Sequence, residues 1–409
     1  MRKSIASLAA AALLTACGQS DQPAASPVDI EAEALRIATS SIVVDTHIDV
    51  PYRLSVNPQD VSQETESGDF DYPRAVAGGL NAPFMSIYTP AEFEALGKSK
   101  ETAEQLIDAV EAIVAASPDK FAIATSVADV REQFAAGLMS LPLGMENGSP
   151  IEGDLDNLRQ FFARGIRYVS LCHGSTNHLS DSSYDETHQW NGISDFGAEV
   201  IEAMNDLGIM IDVSHVSDDA FWDIMEITRT PVIASHSSAR HFTPGFERNM
   251  SDEMIVALAA GGGVVQINFG STFISQVARQ YGDRLMAAGK KYAMEHPELS
   301  ETFLYRDYPK IYAEENGPMP FATVEDVLDH FDHVVKLTGV DHVGIGSDFD
   351  GVGDSLPTGL KDVSSYPNLV AGLLRRGYSE GDIRKILGEN LLRVWQEVED
   401  YAATTSSST

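Results

Sequence analysis

Seven side chains that can bind metal fall at matching places in this 409-residue sequence, each closing a short apolar run. His47 and Asp49 close "SIVVDTHID", Glu146 closes "LPLGME", His173 closes "IRYVSLCH", His215 closes "IMIDVSH", His236 closes "PVIASH" and Asp348 closes "HVGIGSD". A lone histidine at a strand end is ordinarily a hydrogen-bonded structural residue, but this many at equivalent ends require a shared cause. Imidazole nitrogen and carboxylate oxygen are the usual non-thiolate ligands of zinc and similar divalent ions. His47, Asp49, Glu146, His215 and His236 exceed what one catalytic zinc with an open position needs. The two oxygens of Glu146 can bridge two ions, giving the triads His47/Asp49/Glu146 and Glu146/His215/His236. Ions held roughly 3.5–4 Å apart can share a hydroxide, a nucleophile for hydrolysis at neutral pH.

Converging such remote residues requires elements that all end at one place. From residue 41 onward, β-branched runs alternate with segments of helical period, the pattern of a parallel sheet covered by helices. Besides the six runs above, "APFMSIYT" (82–89) and "GVVQINF" (263–269) read as strands, and "FAIATS" (121–126) is a ninth candidate. In "DFGAEVIEAMNDLG", Phe196, Val200, Ile201, Met204 and Leu207 share one helical face, with Asp195 in the N-cap place and Gly208 in the C-cap place. Eight strand–helix units over residues 35–400 predict a single (β/α)8 barrel, with a helical insertion over about 271–322 after the seventh strand. An open doubly wound sheet is the alternative, but no glycine-rich phosphate loop follows the first strand. The C-terminal ends of barrel strands form the mouth where active sites are built. On a regular strand, residues i and i+2 face the same way, so His47 and Asp49 can share a metal and Asp45 would sit one layer deeper. Asp212 and Asp350 read as supporting groups. His178, His188, His241, His296, His330, His333 and His342 lie in loops, helices or strand starts and read as surface or structural residues.

A formal net charge of −33 argues against nucleic-acid binding, which needs a basic face to neutralise phosphates. The N-terminus has a basic start (Arg2, Lys3) and an apolar run too short to span a bilayer, which reads as an export signal over residues 1–17. Its end, Leu14-Thr15-Ala16-Cys17, resembles the bacterial lipobox, which implies lipidation of Cys17 and a membrane anchor; Gly18 resembles the pattern sent to the outer membrane, facing the periplasm. Residues 18–34 read as a flexible tether and 401–409 as a disordered tail. Cys172 is then a lone thiol on an apolar strand, and no disulfide framework is available.

Taken in order, "VVDTHIDVP", "FMSIYTP", "GMENG", "RYVSLCHGSTN", "PVIASHSSAR", "RNMSDEMI" and "HVGIGSDFDGV" resemble the membrane (renal-type) dipeptidases, zinc peptidases of family M19, over nearly the whole chain after residue 40. That resemblance implies a two-zinc hydrolase of dipeptides with the two triads named above. It implies that Asp348 is the acid/base, that His173 contacts the substrate carbonyl and its oxyanion, and that Arg248 holds the substrate carboxylate. It places "FAIATS" outside the barrel, and homodimers are common in the family. Two departures stand out: Cys172 replaces the usual threonine, and "SSARHFTPGFE" before Arg248 differs in composition from relatives. The same site could instead serve a binuclear amidohydrolase of N-acyl amino acids or lactones. A surface lipoprotein that binds peptides without hydrolysis would leave Asp348 and an open mouth without purpose.

Overall fold

The computed structural model describes residues 29–299 and 307–406; the signal segment, Cys17 and most of the expected tether lie outside them. Ten strands occur among the described residues: β1 (Val44–Ile48), β2 (Ala82–Tyr88), β3 (Phe121–Ile123), β4 (Met139–Leu141), β5 (Leu143–Glu146), β6 (Ile166–Ser170), β7 (Met210–Asp212), β8 (Ile233–Ala234), β9 (Val264–Ile267) and β10 (Val343–Ile345). Eight of them form one sheet in the order β1-β2-β5-β6-β7-β8-β9-β10, all pairs parallel, with helices between. The two ends of this sheet meet at the mouth, where Asp348 N donates to His47 O (3.1 Å) and Asp49 N to Phe349 O (2.9 Å). The result is a nearly closed (β/α)8 barrel.

β3 and β4 pair apart from the barrel, so "FAIATS" lies outside it. The expected strand at 141–146 divides at Pro142, which has no N–H for a ladder and marks the passage from the small sheet into the barrel.

A plug of apolar side chains fills the lower barrel. Val44, Phe84, Tyr168, Met210, Ile233 and Val264 pack against Leu391, Trp395 and Val398 of the C-terminal helix Asn390–Ser406. Phe84 is the link in this column, its ring 5.4 Å from both Trp395 and Tyr168. That helix runs through Ser406, into the stretch expected to be disordered. At the other end of the chain, helix Ile30–Thr39 begins inside the expected tether, capped by the Asp29 side chain on Ala32 N. The amphipathic helix spans Asp195–Leu207 with Ser194, not Asp195, as N-cap, because the Ser194 hydroxyl reaches Gly197 N; Gly208 ends it in the left-handed conformation (φ 83°). After β9 the chain passes through helices Ser271–Ile274, Gln276–Glu295 and Tyr308–Asn316 before helix Val324–Thr338 leads to β10. No helix among the described residues is long and apolar enough to cross a membrane.

Strand β1 departs from regular alternation. Asp45 pairs with Pro83 but Ile48 with Met85, so β1 carries one more residue than β2 between these points. Such a bulge turns the following side chains over. Val44 therefore packs into the plug while Ile48 joins the cluster under the outer helices. Asp45 does not lie in a deeper layer of the site: its Oδ2 accepts from Tyr366 on helix Tyr366–Arg375 (2.5 Å). Its Oδ1 accepts from Ser347 N and His47 N.

Candidate metal centre

Glu146, at the end of β5 and 4% exposed, is the hub of the mouth. His47 Nε2 lies 3.4 Å from its Oε2, while His215 Nε2 (3.0 Å), His236 Nε2 (3.4 Å) and His173 Nε2 (3.6 Å) approach its Oε1. Asp49 Oδ2 is 3.4 Å from His47 Nε2, and Asp348 joins these two in a third group of converging donors. All seven strand-end residues singled out in the sequence thus meet in one cluster at the mouth. The closest triples among them are His47/Glu146/His236, Glu146/His173/His215 and His47/Asp49/Asp348, which overlap on Glu146 and His47.

Hydrogen bonds from deeper in the barrel aim these ligands. Tyr168 Oη lies 2.9 Å from His47 Nδ1. A proton on Nδ1 donated to this oxygen leaves the Nε2 lone pair for a cation. The ring reaches across because β5 carries Gly144: a Cβ there would come within 2.0 Å of Tyr168 Cζ. On the opposite side, Ser235 Oγ bonds both His236 Nδ1 (2.7 Å) and Asp212 Oδ2 (2.6 Å), and Asp212 also accepts from Ser235 N, Ser214 N and Ser170 Oγ. Asp212 is accordingly a supporting group, as its position predicts. Asp350 exchanges backbone-to-carboxylate bonds with Asp69 and pairs with Arg53 at 3.0 Å, outside the ligand cluster.

His215 (φ 72°) and Asp348 (φ 64°) both occupy the left-handed region, which is strained for residues with a side chain. Strain of this kind persists where surrounding bonds enforce it, and both residues belong to the converging cluster. Asn268 Nδ2 donates to Asp348 Oδ2 (2.7 Å). Burial, reinforced by Asp49 and Glu146 against the pull of His47 and Asn268, pushes the Asp348 carboxyl up to about 7. Arg248 is buried; its Nη2 donates to His215 Nε2 (3.0 Å) and His236 O (2.9 Å), its Nη1 to Ser237 Oγ (2.6 Å), and its Nε has no partner.

The donor set fits divalent metal. Buried His47 Nε2 and Asp49 Oδ1 lack hydrogen-bond partners. Burial holds His215 and His236 well below the ordinary imidazole range, so both are neutral and able to ligate. Burial opposes ionisation of Glu146, yet the surrounding imidazoles keep its carboxyl well below the usual range. Burial likewise opposes charge on His47, but Tyr168, Glu146 and Asp49 hold its pKa well above normal. A centre so rich in carboxylate recruits a proton where a cation would serve.

Residues 31–409 match the family described as membrane dipeptidase (peptidase family M19). The chain belongs to this family. Three solved structures share its architecture. PvdM, a probable dipeptidase from Pseudomonas aeruginosa, is 27% identical with a TM-score of 0.81, covering 92% of this chain and 100% of its own. A metallopeptidase from Rhodobacter sphaeroides, liganded with a phosphinate mimic of the dipeptide L-Ala-D-Ala, is 26% identical (TM-score 0.72; 88% and 99% covered). Dipeptidase AC, also a metallopeptidase, is 26% identical (TM-score 0.71; 88% and 99% covered). The protein is thus a metallopeptidase of the membrane dipeptidase family.

Several parts of this peptidase's site escape sequence reasoning: Tyr168, Asn268, Gly144 and Gly351. A Cβ at Gly351 would come within 2.2 Å of both Asp348 Oδ1 and Asp49 Oδ2, so the backbone itself forms the wall there. Asn268 carried a usable signal, a polar residue at the end of the apolar run "GVVQINF". Cys172 is free and buried, its thiol pushed up to about 12 chiefly by burial, which leaves it unreactive.

Proposed function

We propose that this enzyme hydrolyses dipeptides, including those with a C-terminal D-residue, at two divalent ions, zinc being the natural choice. His47, Asp49, Glu146, His215 and His236 would hold the ions, with Glu146 shared between them. Metal bound here supplies an acidified water and a polarised scissile carbonyl.

The protein's own groups do the rest. With Oδ2 of Asp348 engaged by Asn268, Oδ1 is the atom that accepts a proton from the attacking water and returns it to the leaving amine. A buried carboxyl fixed at the mouth beside the ligand set is suited to both tasks. The His173 side chain is 28% exposed, unlike the buried ligands around it, and burial holds its pKa below the ordinary value. It is therefore available to contact the carbonyl oxygen as charge develops there. Arg248 brings a permanent positive charge beside His215, with its Nε still without a partner; a guanidinium that engages a free carboxylate would restrict substrates to very short peptides.

The observation that carries the reading is the pairing of a convergent ligand set with Asp348, a buried carboxyl held in place by Asn268. The phosphinate dipeptide mimic on the Rhodobacter sphaeroides relative supports a D-residue at the second position. The lipobox resemblance adds export as a lipoprotein anchored through Cys17, facing the periplasm from the outer membrane.

The test is hydrolysis of paired L,L and L,D dipeptides by the domain that follows Cys17, with added zinc and after chelation. Metal-dependent release of amino acids, lost in Asp348→Asn, is the expected outcome. Silence with two metals bound, alongside turnover of N-acyl amino acids or lactones, would replace this reading with the amidohydrolase one.

A further inference from the structure

A second group of metal-capable side chains gathers outside the ligand cluster at Glu146. It comprises His241 in the 3-10 turn Arg240–Phe242, Asp252 in the first turn of helix Asp252–Ala260, and His333 in helix Val324–Thr338. Donor atoms from the three all lie within 4.8 Å of one another. His333 Nε2 is 2.7 Å from Asp252 Oδ1, and its side chain is only 11% exposed. The His241 ring stacks on that of His333, centroids 4.3 Å apart and planes 20° from parallel.

Neighbouring groups are already committed. Arg240 spends both terminal nitrogens on Asp218 (2.6 and 2.7 Å). His330 accepts from Ala239 N through Nδ1 and donates to Ile274 O through Nε2, both at 3.0 Å, so neither ring nitrogen is free. The Phe242 ring packs on both His330 and His333 and supplies an apolar side to the group.

We propose that His241, Asp252 and His333 form a further divalent-metal site of zinc type, with water completing the coordination. Two imidazole nitrogens and one carboxylate oxygen are a zinc donor set. Bonds of about 2.0–2.2 Å bring tetrahedral ligands to about 3.5 Å from one another, so the exposed His241 ring must turn out of its stack on His333 for the three donors to converge. A net charge of −33 raises the local concentration of cations. The site has a structural consequence: His241 and Asp252 bracket the segment that carries Arg248, so an ion there would fasten both ends of that segment to helix Val324–Thr338.

Zinc bound per chain is counted by equilibrium dialysis with elemental analysis, in excess magnesium so that ordinary carboxylate clusters are filled. Wild type is expected to hold one zinc more than His241→Ala and one more than His333→Ala. Anomalous diffraction at the zinc edge should place that ion between the three side chains. Equal stoichiometry in wild type and both variants would overturn the proposal. His241 is exposed, so its truncation carries the count even where His333→Ala fails to fold. The count is a difference between variants and is independent of the ions and reaction at Glu146.

Discussion

Tyr168→Phe isolates the hydrogen bond that orients a ligand. The substitution removes one oxygen, 2.9 Å from His47 Nδ1, and keeps the ring that packs on Phe84. His47 is fully buried, so no water replaces the lost acceptor. An unsatisfied buried N–H costs about 1–3 kcal/mol. Part of that cost is avoided in the metal-free protein, where His47 can give up its Nδ1 proton and keep the one on Nε2 beside Asp49 and Glu146, but not when Nε2 must present its lone pair to a cation. The penalty therefore falls on metal binding more than on folding, and removal of such supporting bonds typically weakens metal affinity by about 10–100-fold. Competition against a chromophoric chelator should show the Tyr168→Phe protein losing metal at about tenfold lower chelator concentration than wild type. Activity should recover when metal is restored in excess. Gly144→Ala, which places a methyl group within 2.0 Å of Tyr168 Cζ, should show the same affinity loss together with overpacking of about 1–3 kcal/mol. Unchanged metal affinity in Tyr168→Phe, with the fold intact, would refute the idea that this phenol sets the His47 tautomer.

Gly351→Ala should abolish most hydrolysis while leaving the melting temperature within a few degrees, because the added methyl meets Asp348 and Asp49 rather than the core; dipeptide turnover and thermal unfolding decide it. Metal titration of the stripped protein in weak buffer should release protons, since His47 is protonated without a cation and must be neutral to ligate; a pH-stat measures this directly. His330, buried and held at about 4 against an ordinary 6.5, binds a proton in the unfolded chain well before it does so in the native one. Its contribution is complete above pH 6.5 and is lost as pH falls toward 4, about 2 kcal/mol by pH 5. Urea unfolding at pH 7 and pH 5 should show that much less pH sensitivity in His330→Gln than in wild type.

The candidate ligands are legible because they contradict their surroundings. Histidine and carboxylate at the ends of apolar runs such as "VVDTHID" and "IMIDVSH" conflict with burial unless something compensates them, and a parallel barrel brings all its strand ends to one mouth. The orienting parts follow other physics. Tyr168 reads as another apolar strand residue, because its bond to His47 joins positions 121 residues apart across the barrel and depends on the space left by Gly144. Asp45 departs from the expected place because period-two alternation assumes a regular strand. The bulge between Asp45 and Ile48 breaks that alternation, sending Asp45 to Tyr366 and freeing His47 and Asp49 for the mouth. The left-handed backbone at His215 and Asp348 is hidden for the same reason: nothing local calls for it, since non-glycine residues avoid that region unless tertiary bonds enforce it. What a sequence exposes most readily is therefore the chemistry a site needs. The geometry that makes the chemistry work comes from irregularities, a bulge, two strained residues and a missing Cβ, each set by contacts distant in the chain.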